Sequence, residues 1–311
     1  TTEIYTLSLH DALPIYMTPI DHYIHLDSIY LKAAIYIVLA PLLGGLLAGV
    51  DRKLSARMQG RIGPPILQPF YDVLKLFQKE KIIVNKFQNF NVILFFVFMV
   101  FTGSLFFLGG DLLLVIFALT LAGVFFALAG FSVNSPYCHV GAERELIQMM
   151  SYDPMIILVA VGMYQVTGTF RVDAIALYEE PLILYLPGVF LGYLHVLTIK
   201  LRKSPFDLSM SAHAHQELVS GLKTEFSGTT LALIEIGHWY ENVLLLGIIY
   251  LFFSFNSIVG VAAMLLLYFF EIVIDNTYAR FKWELTFKST WVVTALFGAA
   301  NIIILYFAMR P

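Results

Sequence analysis

The chain has 311 residues, 59% hydrophobic and only 13% charged, with net charge −3 and mean hydropathy +0.79. Soluble domains carry about 25% charged residues, so a bilayer must be the solvent for much of this chain, and no basic block marks a nucleic-acid partner. One cysteine, Cys138, excludes a disulfide framework and an iron–sulfur cluster held by this chain alone.

The opening string TTEIYTLSLHDALPI lacks the basic n-region, apolar core and small-residue cleavage site of a signal peptide. It reads like translated sequencing-library adaptor. Residues 1–16 are therefore expected to be a non-native extension, with Met17 the expected start.

A membrane-spanning helix needs roughly 20 largely apolar residues. Eight stretches qualify or come close: 29–50, 92–110, 112–133, the shorter 154–166, 182–199, 229–255, 258–274 and 289–309. The expected fold is all-α: one polytopic transmembrane domain over residues 17–311, with about eight spans and amphipathic helices in its loops. Of the 19 Lys and Arg residues, all but Lys32, Arg171 and Arg310 fall in the loops between spans 1–2, 3–4, 5–6 and 7–8. By the positive-inside rule those loops are cytoplasmic and both termini lie outside.

Residues 64–81, PPILQPFYDVLKLFQKEK, place Ile66, Leu67, Phe70, Val73, Leu74 and Phe77 on one helical face, with Asp72, Lys75 and Lys79 elsewhere. This pattern predicts an amphipathic helix that lies on the membrane surface or docks a partner.

An ionisable residue at a helix centre costs about 2.5–3.5 kcal/mol on insertion scales, so each one inside an apolar run is a functional candidate. Asp207, Glu217, Glu225, Glu235, His238 and Glu241 cluster around spans 5 and 6. Glu271 and Asp275 lie in or next to span 7, and Glu143, Glu145 and Asp153 precede span 4. Glu217 and Glu225 are separated by roughly 12 Å if helical. Glu235 and His238 share a face that Asn242 continues. Such a series can form a relay of protonatable groups, because burial raises a carboxyl's pKa while a nearby cation lowers it. Arg52, Arg57, Arg61 and Arg144 are candidate counter-charges. Glu143, Glu145, Asp275 and Glu284, at helix borders, equally suit capping or headgroup pairing. Glu235, Glu241 and Glu271 sit inside apolar runs and point to function.

His195 reads as a packing residue. His213-Ala-His215-Gln-Glu217 lacks the i, i+4 spacing that puts two imidazoles on one helical face, so no metal site is expected. Gly44-Gly45 suits close helix packing. There is no Gly-rich phosphate loop, nucleophile elbow or zinc signature, and no catalytic residue is assigned. The residues alone describe a membrane protein with a buried acidic path and large loops, which a stand-alone proton-coupled transporter also satisfies; that class predicts inverted repeats, and none is visible.

Three stretches carry a resemblance. DRKLSARMQGRIGPPILQPFYDVLKLFQKE (51–80), NSPYCHVGAERELIQMMSYDP (134–154) and KSPFDLSMSAHAHQELVSGLKTEFSG (203–228) resemble, in order, the three cytoplasmic loops of the NADH dehydrogenase subunit 1 family. This is the membrane-anchor subunit shared by respiratory complex I and energy-converting NiFe hydrogenases, and the resemblance covers about residues 29–311. Quinone-reducing relatives have an acid-rich segment between P-F-D and E-L-V. Here SMSAHAHQ (209–216) stands instead, similar to Ech-type hydrogenases, as is DNTYARFKWELTFKSTW (275–291). No quinone headgroup is expected to be reduced.

The resemblance implies eight transmembrane helices whose loops cradle a soluble module. It implies a NiFe hydrogenase-like large subunit, an iron–sulfur small subunit, a ferredoxin-like subunit and an antiporter-like membrane subunit as partners. The NiFe centre and iron–sulfur clusters belong on those partners and no cofactor on this chain. The reaction would pass electrons from reduced ferredoxin to protons and export H⁺ or Na⁺ across a prokaryotic cell membrane. A formate hydrogenlyase or a quinone-reducing complex I-like enzyme would use an equivalent subunit. By motif position Asp207, Glu217 and Glu225 match the acids that lead from the redox module into the membrane. Arg52, Arg57, Arg61 and Asp72 match the first-loop motif, and Lys75 and Arg144 join them as docking or charge-balancing residues. The family's glutamate falls at Trp239, with Glu235 or Glu241 as its replacement.

Overall fold

The computed structural model describes residues 19–80, 85–206, 209, 218 and 220–308, with side chains from residue 31 onward. Among them the chain is helical: α1 (Pro19–Met58), α2 (Gln68–Gln78), α3 (Lys86–Phe107), α4 (Leu112–Phe131), α5 (Pro136–Thr167), α6 (Val172–Ala176), α7 (Leu182–Tyr185), α8 (Pro187–Lys200), α9 (Gly228–Phe252), α10 (Ser257–Thr277), α11 (Trp283–Val293) and, after a π-helical stretch (Thr294–Ala299), α12 (Ala300–Ala308). Seven helices of the described residues are long and apolar enough to cross a membrane.

Local chemistry sets several ends. Asn85 and Asp111 are N-caps whose side chains accept from Phe87 N at 2.9 Å and Leu113 N at 2.8 Å. Asn256 caps α10 in the same way, accepting from Ile258 N at 3.0 Å. Each satisfies a backbone donor that the first helical turn leaves without a partner. The reversal between α3 and α4 passes through Gly109 at φ +79°, which a side chain would strain.

The central helix is α9, packed by α1, α2, α3 and α10. Its buried face runs from Ala232 through Glu241 to Phe252. On the periphery, Ile258, Leu266 and Ile304 are 81%, 66% and 66% exposed. An outer face of such side chains is at home in hydrocarbon, where helices satisfy their own backbone groups. Gly44 lets α1 approach α9: a Cβ there would sit 2.5 Å from the Trp239 carbonyl oxygen.

Three elements differ from the sequence reading. The stretch expected as a loop before Pro154 is the first half of α5, a 32-residue helix with Pro154 inside it. Its polar residues Arg144, Glu145 and Gln148 are buried by protein, so this half is too polar to look like a span yet is still internal. Residues 182–200 are two helices broken at Leu186. Pro187 lacks an N–H, and Asn301 of α12 takes the freed groups: its Oδ1 accepts from Gly188 N at 2.9 Å and Val189 N at 3.1 Å, and its Nδ2 donates to Tyr185 O at 3.2 Å. Non-helical backbone is tolerated at membrane depth only with partners of this kind. Finally, α2 docks on its own chain. Val73 is buried with Ala232 and Trp239, and Phe70 and Leu76 pack beside them, whereas Tyr71, Leu74 and Phe77 face outward.

Candidate functional site

The tetrapeptide Lys200-Leu201-Arg202-Lys203 closes α8 and organises the site. Arg202 has φ +59°, and its N–H donates to Ile199 O at 3.0 Å while Lys203 N donates to Thr198 O at 3.0 Å. These two bonds are the left-handed helix stop usually built around glycine. The stop fans three cations toward four helices.

Lys203 is buried and pairs with Asp51 of α1 and, at 3.5 Å, with Asp275 of α10. Asp275 is held in turn by Ser204 N at 2.8 Å. Arg202 lies 3.6 Å from Glu145 of α5. Its Nη2 is 3.0 Å from His238 Nε2. Arginine offers no acceptor, so that imidazole nitrogen is the unprotonated one. Ser209 donates to the same Glu145. Lys200 reaches inward, 3.1 Å from Glu241 of α9. A fourth cation, Lys223, comes from the short 3₁₀ turn Gly221–Lys223 and donates to Glu235 at 2.7 Å. Burial holds the Lys223 ammonium below the ordinary lysine range, with Glu235 offsetting only part of that shift.

Several of these groups border a cavity of about 1260 Å³ lined by Asp51, Arg52, Arg61, Arg202, Lys203, Lys223, Glu235 and Asp275, among others. Its walls come from the last turns of α1 and α10 with the loops that follow them, from the loop after α8 and from the first turns of α9. The second motif stretch joins through Cys138, whose Sγ–H donates to Leu222 O at 2.9 Å. Deeper in, Glu271 is buried on α10. Thr198 Oγ1 donates to its Oε1 at 3.2 Å, and its Oε2 has no partner.

The structure therefore brings together Glu145, Glu235, Glu241 and Glu271 from the sequence-derived set. Glu143, Glu225, Arg57 and Lys75 are exposed. Arg144 is buried. Arg52 pairs with Asp72 at 2.7 Å and lies within electrostatic reach of Glu235, while Arg61 donates to Gln59. Asp207, Glu217 and the His213–His215 stretch lie outside the described residues. His195 packs edge-on against Phe206, 3.3 Å from Thr290 Oγ1. No group of three metal-ligating side chains occurs among the described residues.

Sequence reasoning missed Lys200, Arg202, Lys203 and Lys223 as site residues, weighing them only as loop charges that orient the chain. The available signal was two cations and a third packed into four residues directly after an apolar run.

The family model for NADH dehydrogenase matches residues 31–306. The chain belongs to the NADH dehydrogenase subunit 1 family. Among its relatives, hydrogenase-4 component C of Escherichia coli (strain K12) is 29% identical over 300 residues, 86% of this chain and 92% of that one. NADH-ubiquinone oxidoreductase chain 1 of Dictyostelium citrinum is 32% identical over 70% of this chain and 74% of its own length. A subunit of the NADH-quinone oxidoreductase of Dehalococcoides mccartyi (strain CBDB1) is 27% identical over 92% of this chain and 88% of its own. A chain from the membrane-bound sulfane sulfur reductase, an archaeal respiratory membrane complex, shares the fold with TM-score 0.78 at 24% identity, over 89% of this chain and 99% of that one. With seven apolar helices of spanning length, this subunit 1 homologue is a multi-pass membrane protein of a respiratory-type complex. The first and third motif stretches, distant in sequence, contribute described residues to one charged cavity, and the second packs against the third through Cys138 and Leu222.

Proposed function

We propose that this subunit 1 homologue is the membrane anchor and ion path of a ferredoxin-dependent, H⁺- or Na⁺-translocating NiFe-hydrogenase-type complex. The observation that carries this reading is the set of acid–base pairs that starts at the cavity wall and continues inward. Asp51, Asp275 and Glu235 sit there on Lys203 and Lys223, followed by Glu145 and His238 on Arg202 and Glu241 on Lys200. Carboxylates held on cations change protonation when a charge or contact at one end of the series changes. Redox turnover in a soluble module docked over the cavity would supply that change by shifting the loops that line it.

The distribution of Lys and Arg supports a cytoplasmic cavity with both termini outside. The match to hydrogenase-4 component C along 92% of that protein supports the hydrogenase-type partners. These are a hydrogenase-like large subunit, an iron–sulfur small subunit, a ferredoxin-like subunit and an antiporter-like membrane subunit. They would carry the NiFe centre and clusters, and this chain none. A quinone-reducing complex is the second reading, favoured by the size of the cavity.

Affinity purification of the tagged protein in mild detergent, with mass spectrometry and metal analysis, tests the proposal. The expected result is co-purification of hydrogenase-like subunits with nickel and iron. Quinone reductase activity without nickel would favour the second reading. A chain that purifies alone and metal-free from several gentle detergents would overturn both and point to a stand-alone transporter.

A further inference from the structure

Lys200 is buried, 8% exposed, and unlike Arg202, Lys203 and Lys223 it does not line the cavity. Its ammonium group makes one ion pair, to Glu241 Oε1 at 3.1 Å, and stands 4.3 Å from the centre of the Tyr152 ring. The residue after Tyr152 is Asp153, on α5. Asp153 Oδ1 is buried without a hydrogen-bond partner, and Lys200 is the cation that acts on this carboxyl. One ammonium is thus ion-paired to an acid on one helix and within electrostatic reach of an acid on another, with one contact made and the other unmade. His238 on α9 and Glu145 on α5 are the further charged or titratable groups near this centre.

Two physical facts make the unmade contact informative. A buried polar atom without a partner is destabilising, so an orphaned carboxyl oxygen within electrostatic reach of a lysine is a contact the lysine can complete. Lysine carries three donors on a flexible four-carbon stem, and the Tyr152 ring 4.3 Å from the ammonium offers a cation–π surface. A fixed ion pair would need neither.

We propose that Lys200 is a two-position element that exchanges Glu241 of α9 for Asp153 of α5, taking up a proton at one carboxyl as it releases one from the other. In the first position Lys200 is paired with the Glu241 carboxylate, and Asp153, whose buried Oδ1 has no hydrogen-bond partner, is the neutral acid. When the ammonium crosses to Asp153, that carboxyl ionises and gives up its proton. Glu241, now without its cation, accepts a proton from the side of His238. Lys200 stays protonated throughout, so the local charge is the same in both positions and one proton has moved. Lys200 acts through the two acids and is a positioning residue.

This inference rests on the ion-path reading above, and its test separates the two. The intact complex in inverted vesicles is assayed for electron transfer and for ions moved per electron, with Asp153→Asn and Lys200→Arg beside the wild type. Both variants are expected to assemble and to pass electrons, with ions per electron falling roughly tenfold or more, as expected for loss of a positioned proton carrier. Asn cannot release a proton, and a guanidinium fork can hold both carboxyls at once and arrest the exchange. Infrared difference spectra give a second readout that a packing role would not move: the protonated-carboxyl band of the wild type should vanish in Asp153→Asn. If Asp153→Asn fails to assemble, Lys200→Arg decides alone. Wild-type ions per electron in Lys200→Arg, or an unchanged carboxyl band in an assembled Asp153→Asn complex, overturns the two-position element. A wild-type complex that moves no ions overturns the ion-path reading instead.

Discussion

Exchanging Lys203 for methionine is expected to abolish accumulation of the folded chain in its complex. Lys203 is 6% exposed and binds Asp51 of α1 and Asp275 of α10 at once. Methionine fills a similar volume but leaves two carboxylates facing one another without a cation. Removing one partner of a buried pair costs about 3–5 kcal/mol, and partial exposure of the two acids moves this toward the lower end of the range. That is a large fraction of the roughly 5–15 kcal/mol that holds a typical domain together. Lys203→Arg keeps the cation and should retain most of the yield. Removing the acids with the base, as Lys203→Met with Asp51→Asn and Asp275→Asn, should restore folding without restoring function. The yield of intact complex on native gels, followed by thermal unfolding in detergent, reads all three.

The second large effect separates the backbone's share from the side chain's within a single residue. Arg202 stands at φ +59° where a helix stop of this kind normally has glycine. A side chain in that conformation costs about 1–2 kcal/mol, and here the side chain spans Glu145 and His238. Arg202→Gly relieves the backbone but leaves the buried Glu145 carboxylate without its cation, so it should be less stable than the wild type and lose coupled ion transport. Arg202→Ala keeps the strain and loses the contacts. It should be less stable than the glycine variant by about 1 kcal/mol, the reverse of their order inside a helix. Thermal unfolding of the two variants side by side measures the difference, and vesicle assays measure the coupling. An alanine variant as stable as the glycine variant would mean that the left-handed stop is not what sets this position.

Much of the fold could be read from the sequence because the bilayer demands long apolar runs, and such runs are visible residue by residue. Glu235, Glu241 and Glu271 stood out for the same reason: each interrupts one of those runs, and each is placed inside the protein or at its cavity. The break at Leu186 was not visible, because it is made good by Asn301, more than a hundred residues away. The first half of α5 was hidden because its polar side chains are buried by other helices and not by lipid. The cation set was hidden for a third reason. Lys200, Arg202 and Lys203 look alike in sequence, yet a single left-handed residue turns them toward α9, α5, and α1 with α10. Local periodicity carries no information about such pairings.

The central claim is that these paired acids carry ions when the docked module turns over. Its most direct test is the number of ions moved per electron in inverted vesicles, comparing the wild type with Glu235→Gln. Glu235 stands at the cavity wall, bound to Lys223 at 2.7 Å, and the substitution keeps its shape while removing its charge. The expected result is an assembled complex that passes electrons at a near-normal rate and moves almost no ions. Wild-type ions per electron in that variant would contradict the claim, because the acid at the mouth of the path would then be carrying none of the traffic.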